Sequence, residues 1–179
     1  MRADAARNLE LVLTTGARML ADDPTTSVAA IAIAAGVDRR TVYRRFASRD
    51  DLLAAVYGAR LEAIEAAITA ARLRDAPVPA AFHRYVEGII EVNRIWPVEL
   101  TRMRAEPTIQ DRRNHFIDEV DTFLARAVAD GYLRADLPDG WSAAVLIDLM
   151  QRAASSLPQL TPAQAADVLT STFLRGHGA

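Results

Sequence analysis

Five arginines and no acidic residue lie between Arg39 and Arg49. A guanidinium carries its N–H donors in a planar fork that fits phosphate oxygens and the acceptor edge of guanine. The whole chain has a formal net charge of −2, so this is a local basic cluster on an otherwise acidic protein. Residues 1–50 hold eight arginines against six acids, and residues 51–179 hold thirteen against seventeen. Such a cluster suits an anion-binding surface; on charge alone it suits a solvated helix face equally well. Other chemistry is poorly supplied. Cysteine is absent and only three histidines are present, so no thiolate or clustered metal site is expected. There is no His-Glu-x-x-His, no Glu-x-x-His, no glycine-rich phosphate loop and no Gly-x-Ser-x-Gly elbow. The expectation is a protein that is not an enzyme and needs no cofactor or metal.

Helices must position the arginines. The chain has 35 alanines but only 8 glycines and 8 prolines, a composition that favours helix throughout. Leu9, Val12, Leu13, Ala17 and Leu20 form one helical stripe, stopped by Asp22-Asp23-Pro24. Ser27 is placed to cap a short second helix carrying Val28, Ile31, Ala32 and Ala35. Gly36 follows, where a left-handed residue is wanted, and Asp38 caps a third helix from Arg39 to Phe46. Asp50 and Asp51 suit the first turn of a fourth, predicted to run to about Arg74. Pro77 and Pro79 mark a boundary. A fifth helix carries Phe82, Tyr85, Val86, Ile89 and Ile90; Pro97 and Pro107 delimit a short sixth; a seventh carries Phe116, Val120, Phe123 and Leu124. An eighth is predicted from about Gly140 to Leu157, and a ninth from Pro162 to Arg175. No apolar run approaches the ~18 residues of a membrane span, and residues 1–20 lack the order of a signal peptide. The expectation is a soluble, cytoplasmic, all-α protein of about nine helices.

Residues 27–46 have the grammar of a helix-turn-helix, two short helices held at a steep angle by Gly36-Val37. On a wheel of the third helix Val42 and Phe46 face inward. Arg40, Thr41 and Arg44 face outward, flanked by Tyr43 and Arg45, and Arg39 reaches out from the first turn. A helix of this kind in the major groove offers forks to guanine O6 and N7.

The stretch SVAAIAIAAGVDRRTVYRRFASRDDLLAAV, residues 27–56, resembles the N-terminal DNA-binding domain of the TetR family of bacterial regulators. Ile31-Ala32, Ala35-Gly36-Val37, Thr41-Val42-Tyr43, Phe46, Arg49 and Leu52 fit the family pattern. Leu20-Ala-Asp-Asp-Pro departs from it, replacing the aromatic and glycine common there, and Arg49 stands for the usual Lys. The resemblance implies that Arg39 and Arg40 sit at the groove end of the reading helix and that Tyr43 touches a phosphate or a base methyl. It implies that Thr41, Arg45, Arg49 and Ser27 hold phosphates. The alternatives are a half-buried core role for Tyr43 and surface pairs of Arg45 or Arg49 with Asp50 or Asp51.

The rest of the chain then corresponds to the family's variable helical domain, dividing the protein into a DNA-binding domain, residues 1–48, and an effector-binding and dimerisation domain, residues 49–179. The predicted eighth helix is apolar on two sides, with Trp141, Val145 and Leu149 on one and Leu146, Met150, Ala153 and Leu157 on the other. One stripe suffices for a surface helix, so the second is expected to meet another subunit. The interface candidates are Leu146, Met150, Ala153, Leu157, Leu169 and Phe173; the alternative is a fully internal helix. Candidates for an effector pocket are Phe82, Tyr85, Trp96, Met103, Phe116 and Phe123, most of which serve equally well as plain core. With Arg94, Arg102 and Arg104 nearby, the effector is expected to be small, hydrophobic or aromatic, and neutral or anionic; Glu87, Glu91, Glu99 and Glu106 reverse that preference if they point inward. The resulting expectation is a homodimeric, ligand-responsive regulator, most simply a repressor, bound to a palindromic double-stranded DNA operator. Two alternatives are a helical small-molecule binding protein or catalyst that no longer reads DNA, and a helical interaction protein.

Overall fold

The computed structural model of the protein describes residues 2–98 and 107–179. It contains α1 (Arg2–Asp22), α2 (Val28–Ala34), α3 (Arg39–Arg45), α4 (Arg49–Ala71), α5 (Val78–Ile95), α6 (Pro107–Ala129), α7 (Trp141–Ser156) and α8 (Pro162–His177). The all-α class follows the sequence. Among the described residues the only strand-like feature is a single antiparallel bridge between Leu133 and Gly178. The short helix predicted between Pro97 and Pro107 falls on residues 99–106, which lie outside the described residues, as do Met103, Arg102 and Arg104. Pro107 opens α6, where a missing N–H costs nothing.

The chain forms two compact units, residues 1–62 with 95–109, and residues 63–94 with 110–179. In the first, α1 packs on α2 and α2 on α3. Its core is mainly aliphatic: Val12, Leu20, Val28, Ile31, Val42, Leu52, Val56 and Leu61 are buried, joined by Phe46, Tyr57 and Trp96. Its short helices are fixed by their ends. Ser27 Oγ accepts from the Ala30 amide at 3.2 Å, and Asp38 Oδ1 accepts from Arg40 and Thr41 at 2.9 and 3.2 Å. Gly36 has φ 67°, the left-handed region that only glycine enters without strain, and this closes the turn. Ser48 and Asp51 cap α4 reciprocally, each side chain accepting from the other's amide. Helix α4 ends at Ala71, a little before the predicted limit, where Arg72 takes φ 54°.

The second unit has an aromatic centre. Phe82 stacks on Phe173 at 5.5 Å, meets Tyr132 edge-on at 5.8 Å and lies 6.5 Å from Phe123. Such pairs add to the burial of the rings themselves. Gly88 of α5 lets α4 approach closely, since a Cβ there would stand 2.9 Å from Ala67 Cβ. Helices α7 and α8 pack together, and both bury small residues, Ala153 and Ala154 on α7 and Ala165 and Ala166 on α8. Thr161 and Gln164 form a capping box at the start of α8, ahead of the expected first-turn Pro162.

Candidate nucleic-acid interface

The third helix is built as a reading element. Val42 and Phe46 are buried and hold α3 to its unit. Arg39, Arg40, Tyr43, Arg44 and Arg45 are exposed, with Thr41 half-buried. Tyr43 keeps 48% of its surface open, so it is not a core aromatic. None of the four α3 arginines donates to, or pairs with, another described residue. Of the acids flanking them in sequence, Asp38 is engaged as the cap of α3 and Asp51 as part of the cap of α4, and exposed Asp50 pairs with none of them. Four permanently charged guanidinium groups without partners on one short helix are a surface that fits a polyanion.

Arg49 behaves differently. Its Nε donates to the Thr26 carbonyl at 3.2 Å and its Nη2 to the Pro24 carbonyl. It thus ties the start of α4 to the loop that leads into α2, and pairs with neither Asp50 nor Asp51. A lesser effect of the same guanidinium is to help hold the Asp23 carboxyl below its usual range, the main cause being the hydrogen bond from the Thr25 hydroxyl. Residue spacing does not select this tie, whose acceptors are backbone carbonyls of a Pro-Thr-Thr loop. Ser27 is exposed, with its oxygen accepting the cap hydrogen bond.

The remaining candidates separate by location. Phe82, Tyr85, Phe116 and Phe123 are buried in the second unit, Phe82 and Phe123 within the ring cluster. Burial, with Asp121 nearby, pushes the Tyr85 hydroxyl far above its ordinary value, so it stays neutral. Trp96 is buried in the first unit, where its carbonyl accepts from the Arg60 guanidinium. The second unit has a partly open pocket of about 360 Å³ lined by Leu73, Arg74, His115, Asp118, Glu119, Thr122, Phe123 and Arg126; of the aromatic candidates, Phe123 lines it. Arg94 lies outside the lining of this pocket, and its Nη atoms donate to the Leu160 and Leu157 carbonyls, each at 2.8 Å. Among the interface candidates, Leu146, Met150, Ala153, Leu169 and Phe173 are buried within their own chain and Leu157 is half-buried. The large apolar side chains that α7 and α8 expose are Trp141, Ile147 and Val168. No three His, Asp or Glu side chains among the described residues gather as a metal site.

A family model described as bacterial regulatory proteins, tetR family, matches residues 13–56, which span the capped helices and the arginine-bearing α3. The transcriptional repressor LfrR of Mycolicibacterium smegmatis is 32% identical over 150 residues, covering 81% of this chain and 76% of the relative. The crystal structure of LfrR from Mycobacterium smegmatis in complex with proflavine superposes with TM-score 0.71 at 28% identity, covering 95% of this chain and 96% of that one. The ketosteroid regulator KstR2 of Mycobacterium tuberculosis shares the fold with TM-score 0.79 at 21% identity, covering 100% and 97%. The chain belongs to the TetR family and is a DNA-binding transcriptional regulator. The family is one of regulators rather than enzymes, and no described helix is long and apolar enough to cross a membrane.

Proposed function

We propose that the protein is a homodimeric repressor that places the α3 helix of each subunit in successive major grooves of a palindromic operator. The observation that carries this is the unpartnered arginine face of α3 on a capped helix-turn-helix. Arg39, Arg40 and Arg44 meet base edges; Thr41, Tyr43, Arg45 and Ser27 meet the backbone or flanking methyl groups; Arg49 acts by holding the loop before α2. Half-sites then lie about one turn, ~34 Å, apart or a multiple of it. Residues 1–48 carry the DNA contacts and residues 49–179 carry assembly and effector binding.

A second copy packs on α7 and α8, covering Trp141, Ile147 and Val168, with half-exposed Val145 and Leu149 beside them. The effector is a small hydrophobic or aromatic molecule that enters the pocket lined by Leu73 and Phe123. Likeness to a relative crystallised with proflavine supports an aromatic ligand. The pocket lining carries both signs, Arg74 and Arg126 with Asp118 and Glu119, so no charge preference is assigned. Effector and operator weaken each other by the same factor, as linkage requires. The setting is the cytoplasm, where the DNA is.

The test is a gel shift of the purified chain on DNA upstream of its own gene, with sedimentation of the free protein. Saturable binding by a dimer is expected. A folded monomer at micromolar concentration removes the two-half-site arrangement, and absence of any preferred DNA removes the operator.

A further inference from the structure

The exposed side chains of α3 are one-sided in their chemistry. Arg39, Arg40, Arg44 and Arg45 are donors only. No Asn, Gln, Asp or Glu stands on the helix, and the one carboxylate beside it, Asp38, accepts from two backbone amides. Thr41 and Tyr43 bring hydroxyls, which serve either role. A base pair in the major groove is therefore met mainly by fixed donors. Guanine presents two adjacent acceptors, N7 and O6, that a guanidinium fork fits with both prongs. An A·T pair also has two acceptors, adenine N7 and thymine O4, but the N6 amino donor stands between them. A fork aimed at that pair meets a donor with a donor.

Position along the helix supplies the second half of the argument. Arg40 and Arg44 are four residues apart on the same outward face, and both are exposed. Their Cα atoms are separated by ~6 Å along the axis. Successive bases on a strand rise ~3.4 Å, so two base-pair steps match that spacing. The body of the helix between them turns inward only at Val42, which is buried.

We infer that each operator half-site carries two guanines about two base pairs apart, one read by Arg40 and the other by Arg44, and that adenine replaces neither. The inference rests on the reading that α3 lies in the major groove. It makes Arg44 a specificity-determining residue equal in rank to Arg40, where the resemblance alone assigned it no separate task.

Selection of bound sequences from random duplex DNA with the full-length chain tests both levels. The expected result is an inverted repeat whose halves each hold two G·C pairs separated by one pair. On the selected duplex, changing either G·C pair to A·T should weaken binding between about fivefold and about 150-fold. Replacing either guanine by 7-deazaguanine, which lacks N7, should also weaken binding. Glutamine pairs with adenine N6 and N7, so Arg40→Gln should move the preference to adenine at one position and Arg44→Gln at the other. A selected repeat lacking paired guanines overturns the inference and leaves groove docking intact. So do glutamine variants that lose affinity equally for all four bases, because they mark the arginines as phosphate holders. Failure to enrich any sequence overturns the inference together with the docking it rests on.

Discussion

Arginine does two different jobs in the two units of this chain. On α3, Arg39, Arg40, Arg44 and Arg45 are exposed and have no partner among the described residues. In the second unit several guanidinium groups are tied down. Arg94 donates to the Leu157 and Leu160 carbonyls, Arg126 to those of Arg74 and Ala76, Arg112 to Glu65 and Arg134 to Asp136. The cores differ as well, aliphatic around the reading helix and aromatic around Phe82. A tied arginine serves the fold, by satisfying a carbonyl as Arg94 and Arg126 do or by pairing with a carboxylate as Arg112 and Arg134 do; an untied cluster is a surface that fits an anion. The residue type alone does not distinguish them.

The contrast can be broken most forcefully in the aromatic core. Phe82→Ala should cost about 3–5 kcal/mol of stability, the range for truncating a fully buried ring, as read by urea denaturation. A loss below about 1 kcal/mol would show that the ring cluster does not organise the second unit. On the untied side, Arg40→Ala and Arg44→Ala should each leave stability within about 0.5 kcal/mol of the parent. Each should nevertheless lower affinity for the selected operator by roughly 1–3 kcal/mol. Equal losses of stability and affinity would mean that these side chains hold the fold.

Arg49 lies between the two classes, in the reading unit yet tied. Arg49→Ala should cost about 1.5 kcal/mol of stability, the low end for charge-assisted hydrogen bonds because the contacts are only partly buried. An unchanged urea midpoint would return Arg49 to the untied group. The smallest effect concerns His177, which stacks on Phe173 at 4.3 Å, with its Nδ1 3.1 Å from Ser142 Oγ. Burial first, and the Arg134 charge second, lower its pKa below the usual value near 6.5. The unfolded chain therefore takes up this proton at a higher pH than the folded one. The contribution to stability is complete above about 6.5 and is lost as pH falls through the lower folded value. Urea midpoints at pH 7.5 and 5.5 should differ more in the parent than in His177→Gln, and equal differences would remove the effect.

The helix-turn-helix was legible because each of its devices is local. Ser27, Gly36 and Asp38 act within four residues of their own positions, and the inward pair Val42 and Phe46 follows from helical period alone. The tie of Arg49 to a loop more than twenty residues away was not legible, since nothing in the spacing selects those carbonyls. Helix α7 shows a different limit. Its two apolar stripes were both visible, but a pattern does not say which stripe turns inward. The stripe of Leu146, Met150 and Ala153 is the buried one, and Trp141 stands on the open side. The deciding fact is the packing of α7 against α8, a partner distant enough in sequence that the α7 pattern does not select it. The aromatic candidates on α5 and α6 were ambiguous for a similar reason, because a ring at helical spacing suits a core and a pocket alike.

The Arg49 tie also bears on how binding by this protein can be measured. Its hydrogen-bond acceptors are carbonyl oxygens of Pro24 and Thr26, dipoles rather than ions. Mobile ions compete strongly with contacts to phosphate, where each one released lowers the logarithm of affinity by about 0.9 per tenfold rise in salt. They compete far less with a charge–dipole contact such as the partly buried one to Thr26. Raising the salt should therefore strip the protein from DNA while its reading head keeps its shape. The slope of a salt titration then works as a ruler for this chain, counting phosphates and nothing else.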